Sequence, residues 1–127
     1  MYSAKLMDHF HNPRHIGEVE PPDGSGEATN DACGDRLRLT LRIVGDTIRE
    51  VRFRAVGCAA TIAAGSAISE WTSGRTLAEA LAVTPKAVER DLLGGLPRGK
   101  QHAASMAVES LRRAVADHRA GARRSPS

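Results

Sequence analysis

Two cysteines, Cys33 and Cys58, and a carboxylate two positions after the first, Asp35, are the residues of this sequence best suited to chemistry. Cys33 and Asp35 flank Gly34, so both side chains can turn toward one point. Cys58 follows Gly57 where a strand pattern gives way to a helical one. Unpaired N–H groups and the dipole of a helix beginning there favour a thiolate, the form that binds metal. His102 opens the last helical stretch, from which its imidazole can reach the strand ends. Cys33, Asp35, Cys58 and His102 offer two sulfurs, one oxygen and one nitrogen; zinc accepts such donors, and iron–sulfur clusters can combine thiolate with imidazole. Spacing alone leaves a second reading open, in which two inert buried thiols accompany a satisfied surface histidine.

The elements that must position these residues are legible from periodicity. Leu37, Leu39, Leu41 and Ile43 alternate with Arg36, Arg38, Thr40 and Arg42, the pattern of a half-buried strand. Gly45-Asp46 supplies a turn, after which Val51, Phe53 and Ala55 alternate with Arg52 and Arg54, and the pair reads as an antiparallel hairpin. Ile48 is out of phase with Val51, which predicts a bulge between them. Before the hairpin, Ser3 to Phe10 forms a short helix with Leu6, Met7 and Phe10 on one face, stopped at Asn12-Pro13-Arg14. Residues 16–30, rich in glycine and proline, read as a loop entering an edge strand.

After the hairpin, Ala59 to Trp71 predicts an Ala-rich helix closed by Gly74, with Ile62, Ile68 and Trp71 packing inward. Thr76 with Glu79, and Thr84 with Pro85, mark the starts of two short helices. Leu96 to Lys100 reads as an extended linker, and the last helix carries Ala103, Met106, Ala107, Leu111, Ala114 and Val115 along one stripe. His118 falls on that inner stripe as a packing residue, and His9, His11 and His15 read as solvated surface histidines. Strands followed by helices predict an α+β fold, an antiparallel sheet with helices packed on one face.

The chain has 127 residues and a formal net charge of +3. That length suits one domain, placed at residues 1–120, with residues 121–127 as a disordered basic tail. The arginines are scattered without interleaved aromatics, which argues against a nucleic-acid partner. No stretch approaches the ~20 apolar residues of a membrane span, and the N-terminus lacks a signal peptide's apolar core, so the expected compartment is the cytoplasm. Two cysteines in that reducing setting point to metal binding or reactivity rather than to a disulfide. No phosphate-binding glycine loop and no convincing hydrolase triad is present.

Over nearly its whole length the chain resembles the IscU/NifU-type iron–sulfur cluster scaffold family. Asp8-His9-Phe10, Asn12-Pro13-Arg14, Ala32-Cys33-Gly34-Asp35, Gly57-Cys58-Ala59, Glu70-Trp71, Leu96-Pro97, Lys100 and His102 carry the resemblance. The short interval between Cys58 and His102 resembles the IscU branch rather than the SufU-type branch. The resemblance implies a three-stranded antiparallel sheet with helices over one face. It also implies a scaffold that is not a turnover enzyme: a cysteine desulfurase delivers sulfur, iron joins it on the scaffold, and the cluster passes to recipient proteins. Cys33, Asp35, Cys58 and His102 would then hold iron or a [2Fe–2S] cluster, or zinc, with Asp35 helping to keep the cluster labile.

Two departures qualify that expectation. Where the family has His-Cys this chain has His102-Ala103, so the third cysteine, a ligand and sulfur acceptor in the IscU branch, is absent. The family's Leu-Pro-Pro-Val-Lys stretch is replaced by Leu96-Pro97-Arg98-Gly99-Lys100, which predicts weakened or absent binding of an Hsp70-type chaperone. A degenerate adaptor, zinc-bound or metal-free, that binds a desulfurase or recipient protein without assembling clusters is the alternative reading.

Overall fold

A computed structural model describes residues 2–124. In chain order the elements are α1 (Ala4–His11), β1 (Gly24–Asn30), β2 (Asp35–Val44), β3 (Thr47–Val56), α2 (Ala59–Thr72), α3 (Leu77–Leu81), α4 (Pro85–Ala87), which runs on into a π-helical turn over Val88–Leu92, and α5 (His102–Arg124). The strands form one antiparallel sheet in the order β1-β2-β3. The alternation in β2 is realised as expected: Leu37, Leu39, Leu41 and Ile43 face the helices and are buried. Asp35 stands two residues before Leu37 and so shares their face.

Register slips between Arg42↔Glu50 and Ile43↔Ile48, leaving Arg49 as the extra residue of a bulge between Ile48 and Val51, where the broken phase placed it. Capping follows the sequence signals. Ser3 Oγ accepts from Leu6 N–H at 3.0 Å and donates to the Leu93 carbonyl, tying the start of α1 to the π-helical turn. Thr76 and Glu79 form a reciprocal capping box, and Thr84 caps Ala87 ahead of Pro85.

The core lies between the sheet and a layer made by α2 and α5. α5 contributes Ala103, Met106, Ala107, Leu111, Ala114 and Val115, all buried, and α2 contributes Ala60, Ala63, Ala64, Ala67 and Ile68. Small residues let these elements approach closely. A Cβ on Gly65 of α2 would lie 2.5 Å from the Phe53 ring, and one on Gly26 of β1 would lie 2.2 Å from the Ser110 carbonyl of α5. The opposite face of the sheet is crossed by the chain before β1: Val19, 2% exposed, donates its N–H to Thr40 Oγ1 at 2.9 Å and buries that threonine.

Residues 16–30 run as a loop into the expected edge strand, which begins at Gly24 and pairs with β2 from Gly24↔Leu41 to Asn30↔Asp35, glycine there accommodating the backbone of α5. Several expectations are corrected. The stretch from Leu96 to Lys100 closes in a turn, with Lys100 N–H on the Pro97 carbonyl at 3.0 Å and Gly99 at φ +87°. Ile68 packs inward and Trp71 lies half-buried against the core, whereas Ile62 is half-buried beside a groove it shares with Ile16 and Phe53. His118 is half-exposed, its Nδ1 3.2 Å from the Asp23 carbonyl, rather than packed inside. α5 runs through residues 121–124, expected in the tail; residues 125–127 lie outside the described residues.

His9 departs furthest from expectation. It is 8% exposed, not solvated, with Nδ1 2.8 Å from Ser66 Oγ on α2 and 3.2 Å from the Arg14 guanidinium. Its helical spacing from buried Leu6 was the signal available. His11 is exposed, as expected, and His15 is half-buried at φ +66°.

Candidate metal centre

Alternation in β2 turns Asp35 toward the helices at the strand's first residue, and there it meets the starts of two helices. α2 begins after Cys58, which occupies its N-cap position without a side-chain capping bond. α5 begins at His102. Both helices therefore begin at this end of the sheet, and the first turn of α5 is tied down by its own backbone, with Ala103 N–H on the Lys100 carbonyl and Ala104 N–H on the Gln101 carbonyl, each at 3.1 Å. Cys33 lies in the turn between β1 and β2 and is exposed; Cys58 is half-buried, and neither forms a disulfide.

Donor atoms of Cys33, Asp35 and His102 lie within 4.8 Å of one another. His102 Nε2 is 2.9 Å from Asp35 Oδ2. Cys58 stands just beside that triangle, its Sγ 3.8 Å from the same carboxylate oxygen. All four residues expected from the sequence are thus gathered at one end of the sheet, and Asp35 links them.

Asp35 is 3% exposed. Burial alone pushes its carboxyl upward, but hydrogen bonds from His102 and Thr61, the charge of His102 and the Cys58 thiol outweigh it, and the carboxyl is held below its ordinary range. Gly57 shapes the other side of the group. Extending the Arg36↔Val56 pairing by one step sets Gly57 opposite Asp35, and a Cβ there would lie 2.6 Å from Asp35 Oδ1.

Thr61 was not singled out from the sequence. It is fully buried in the first turn of α2 and donates to Asp35 Oδ2 at 2.9 Å, with Cys58 Sγ 3.5 Å away. No sequence signal marks it, since threonine near a helix start reads as ordinary helix chemistry. Ala103 follows His102 directly and is wholly buried among the core residues.

Sulfur, oxygen and nitrogen donors gathered at one end of the sheet, beside the starts of two helices, give this small α+β domain a group of side chains that could hold a metal ion. Residues 1–124 match the family model described as the NifU-like N terminal domain. The chain belongs to that family. It is 42% identical over 118 residues to the iron–sulfur cluster assembly scaffold protein IscU 1 of Archaeoglobus fulgidus, covering 93% of this chain and 76% of that protein. Identity with the IscU scaffold protein of Escherichia coli is 34% over 122 residues, covering 93% and 94%. It is 48% over 118 residues with the bifunctional protein NifU/MnmA of Rubrobacter xylanophilus, of which the chain spans only 24%.

Among solved structures, a putative iron–sulfur cluster assembly scaffold protein for the SUF system from Fervidobacterium islandicum superposes with a TM-score of 0.72. The match covers 90% of this chain and 96% of the other at 24% identity, and it shows the shared fold.

Proposed function

We propose that this chain is an iron–sulfur cluster assembly scaffold, holding iron or a [2Fe–2S] cluster as cargo on Cys33, Asp35, Cys58 and His102 before transfer to a recipient protein. The observation that carries the reading is the convergence of Cys33, Asp35 and His102 within 4.8 Å, with Cys58 alongside. The donor set suits the cargo: two thiolates for iron and sulfide, an imidazole, and one harder carboxylate oxygen that exchanges more readily. Zinc suits the same donors. Exposure of Cys33 leaves the cargo open to a partner, as transfer requires.

Partners under this reading are a cysteine desulfurase and cluster-recipient proteins, and the protein acts as a carrier without turnover. Among the described residues no helix is long and apolar enough to cross a membrane. Arg98-Gly99, folded into a turn, supplies no apolar extended segment for an Hsp70-type groove, which argues for weak chaperone contact. Ala103 can neither ligate nor accept sulfur, so the chain's own ligand set stops at four.

Anaerobic reconstitution with iron, sulfide and a cysteine desulfurase, followed by visible absorbance and metal analysis, tests the reading. A coloured, iron-bearing protein is expected, with colour lost in Cys33→Ser and Cys58→Ser. A chain that stays colourless and metal-free, or cysteine variants that load like the parent, would overturn it.

A further inference from the structure

We infer that Thr61 is a positioning residue for the metal site, its hydroxyl fixing the Asp35 carboxylate in the orientation from which it can ligate. The inference rests on the cluster-site reading above and adds a residue to it. Three observations carry it.

The hydroxyl is fully buried, and its hydrogen-bond partners are Asp35 Oδ2 at 2.9 Å and Cys58 Sγ at 3.5 Å, so it touches two of the four donors and serves no backbone group. Helix formation does not call for it, because alanine would be the better helix former at this position and the Thr61 hydroxyl makes no capping bond to the Cys58 backbone. On the carboxylate's other side Gly57, by lacking a Cβ, leaves the room that Oδ1 occupies. The hydroxyl on Oδ2 is thus the side-chain contact from α2 that fixes which way the carboxylate faces.

A metal drawing on His102 Nε2 takes the lone pair or proton position that now faces Asp35, and the 2.9 Å contact between them is given up. Thr61 is then the remaining side-chain hydroxyl that keeps the carboxylate in place. Hydrogen bonds of this kind orient metal ligands, and their loss typically lowers metal affinity by about 10–100-fold.

Titration of the metal-free full chain with cobalt(II) alone, read by its d–d absorption and by competition with a chelator, tests the inference. Thr61→Val keeps the shape and removes the hydroxyl; it should weaken cobalt binding about tenfold or more and alter the d–d bands. Thr61→Ser, which restores the hydroxyl, should bind within about threefold of the parent. Thr61→Ala removes the hydroxyl without adding apolar bulk and carries the same expectation as valine should that variant fail to fold.

Parent-like affinity and spectrum in folded Thr61→Val or Thr61→Ala overturns the inference alone, as does equal weakening in Thr61→Ser. A parent chain that binds no cobalt overturns it together with the cluster-site reading.

Discussion

Asp35 serves two demands that pull in opposite directions. As a buried carboxylate it needs hydrogen bonds, and it finds them in His102 and Thr61; as the ligand proposed above it would have to offer the same Oδ2 to a metal. A metal at this oxygen competes with partners already in place, which gives the bound state a ready route back. Asp35→Ala removes the oxygen over which metal and hydrogen-bond partners compete, and the reconstituted cluster should outlast the parent's when its visible absorbance is followed after adding a chelator. A faster loss than in the parent contradicts this account. The quantity here is a rate of release, distinct from the equilibrium affinity that Thr61 governs. His9 poses a different residue-scale question. Arg14 can only donate to Nδ1, and burial first, then the Arg14 charge, holds the imidazole below its ordinary pKa of 6.5, against the opposing pull of Glu70 and Asp8. The unfolded chain therefore binds the proton more readily than the folded one. The stabilising contribution is complete above about pH 6.5 and is lost as pH falls through the lowered folded value. The thermal midpoint should drop between about pH 7.5 and pH 5.5, above the range in which carboxylates titrate, and His9→Asn should flatten that drop; an unchanged slope in the variant assigns the pH dependence elsewhere.

At the scale of elements, β1 and α5 meet with almost no side chain between them. A Cβ on Gly24 would fall 2.3 Å from the Ala114 carbonyl, and one on Gly26 2.2 Å from the Ser110 carbonyl and 2.4 Å from the Ala114 amide. These are backbone atoms, which cannot swing aside. Gly26→Ala should destabilise the fold by at least the ~1–3 kcal/mol typical of overpacking, measured by urea unfolding; a change of a few tenths would mean that α5 shifts freely on the sheet. The same contact explains why the limits of β1 were hard to read. Its glycines fit the approach of a helix that begins some seventy residues later, and no local pattern announces that. β2 and β3 were legible, and so was the bulge at Arg49, because their alternation is decided by one buried face. Caps at Thr76 and Thr84 were legible because they are local hydrogen bonds between near neighbours. The π-helical turn over Val88–Leu92 has no such signature. At the site, Cys33, Asp35, Cys58 and His102 were legible by residue type, whereas Thr61 and the role of Gly57 emerge only once α2 is docked against the end of β2.

For the molecule as a whole, the site joins parts that are far apart in sequence: the β1–β2 turn, the start of α2 and the start of α5. A ligand held by all three binds the folded chain and not the unfolded one, so its binding free energy adds to the stability of the fold. At a free zinc concentration of about 100 times the dissociation constant that addition is ~2.7 kcal/mol, and for a domain of this size it corresponds to a rise of about 10 °C in thermal midpoint. The metal-free protein should already be folded, because the core between the sheet and the α2–α5 layer is built from residues such as Leu37, Leu39, Ile68 and Leu111, away from the donors. Zinc should therefore raise the midpoint of an already cooperative transition, and a chelator should return it to the starting value. Cys33 is exposed and Cys58 half-buried, so replacing either by serine should change the metal-free midpoint little while removing the zinc-dependent rise. A rise that survives in both serine variants would place the stabilising metal elsewhere on the molecule, and a metal-free chain without a cooperative transition would show that the core needs the metal to form.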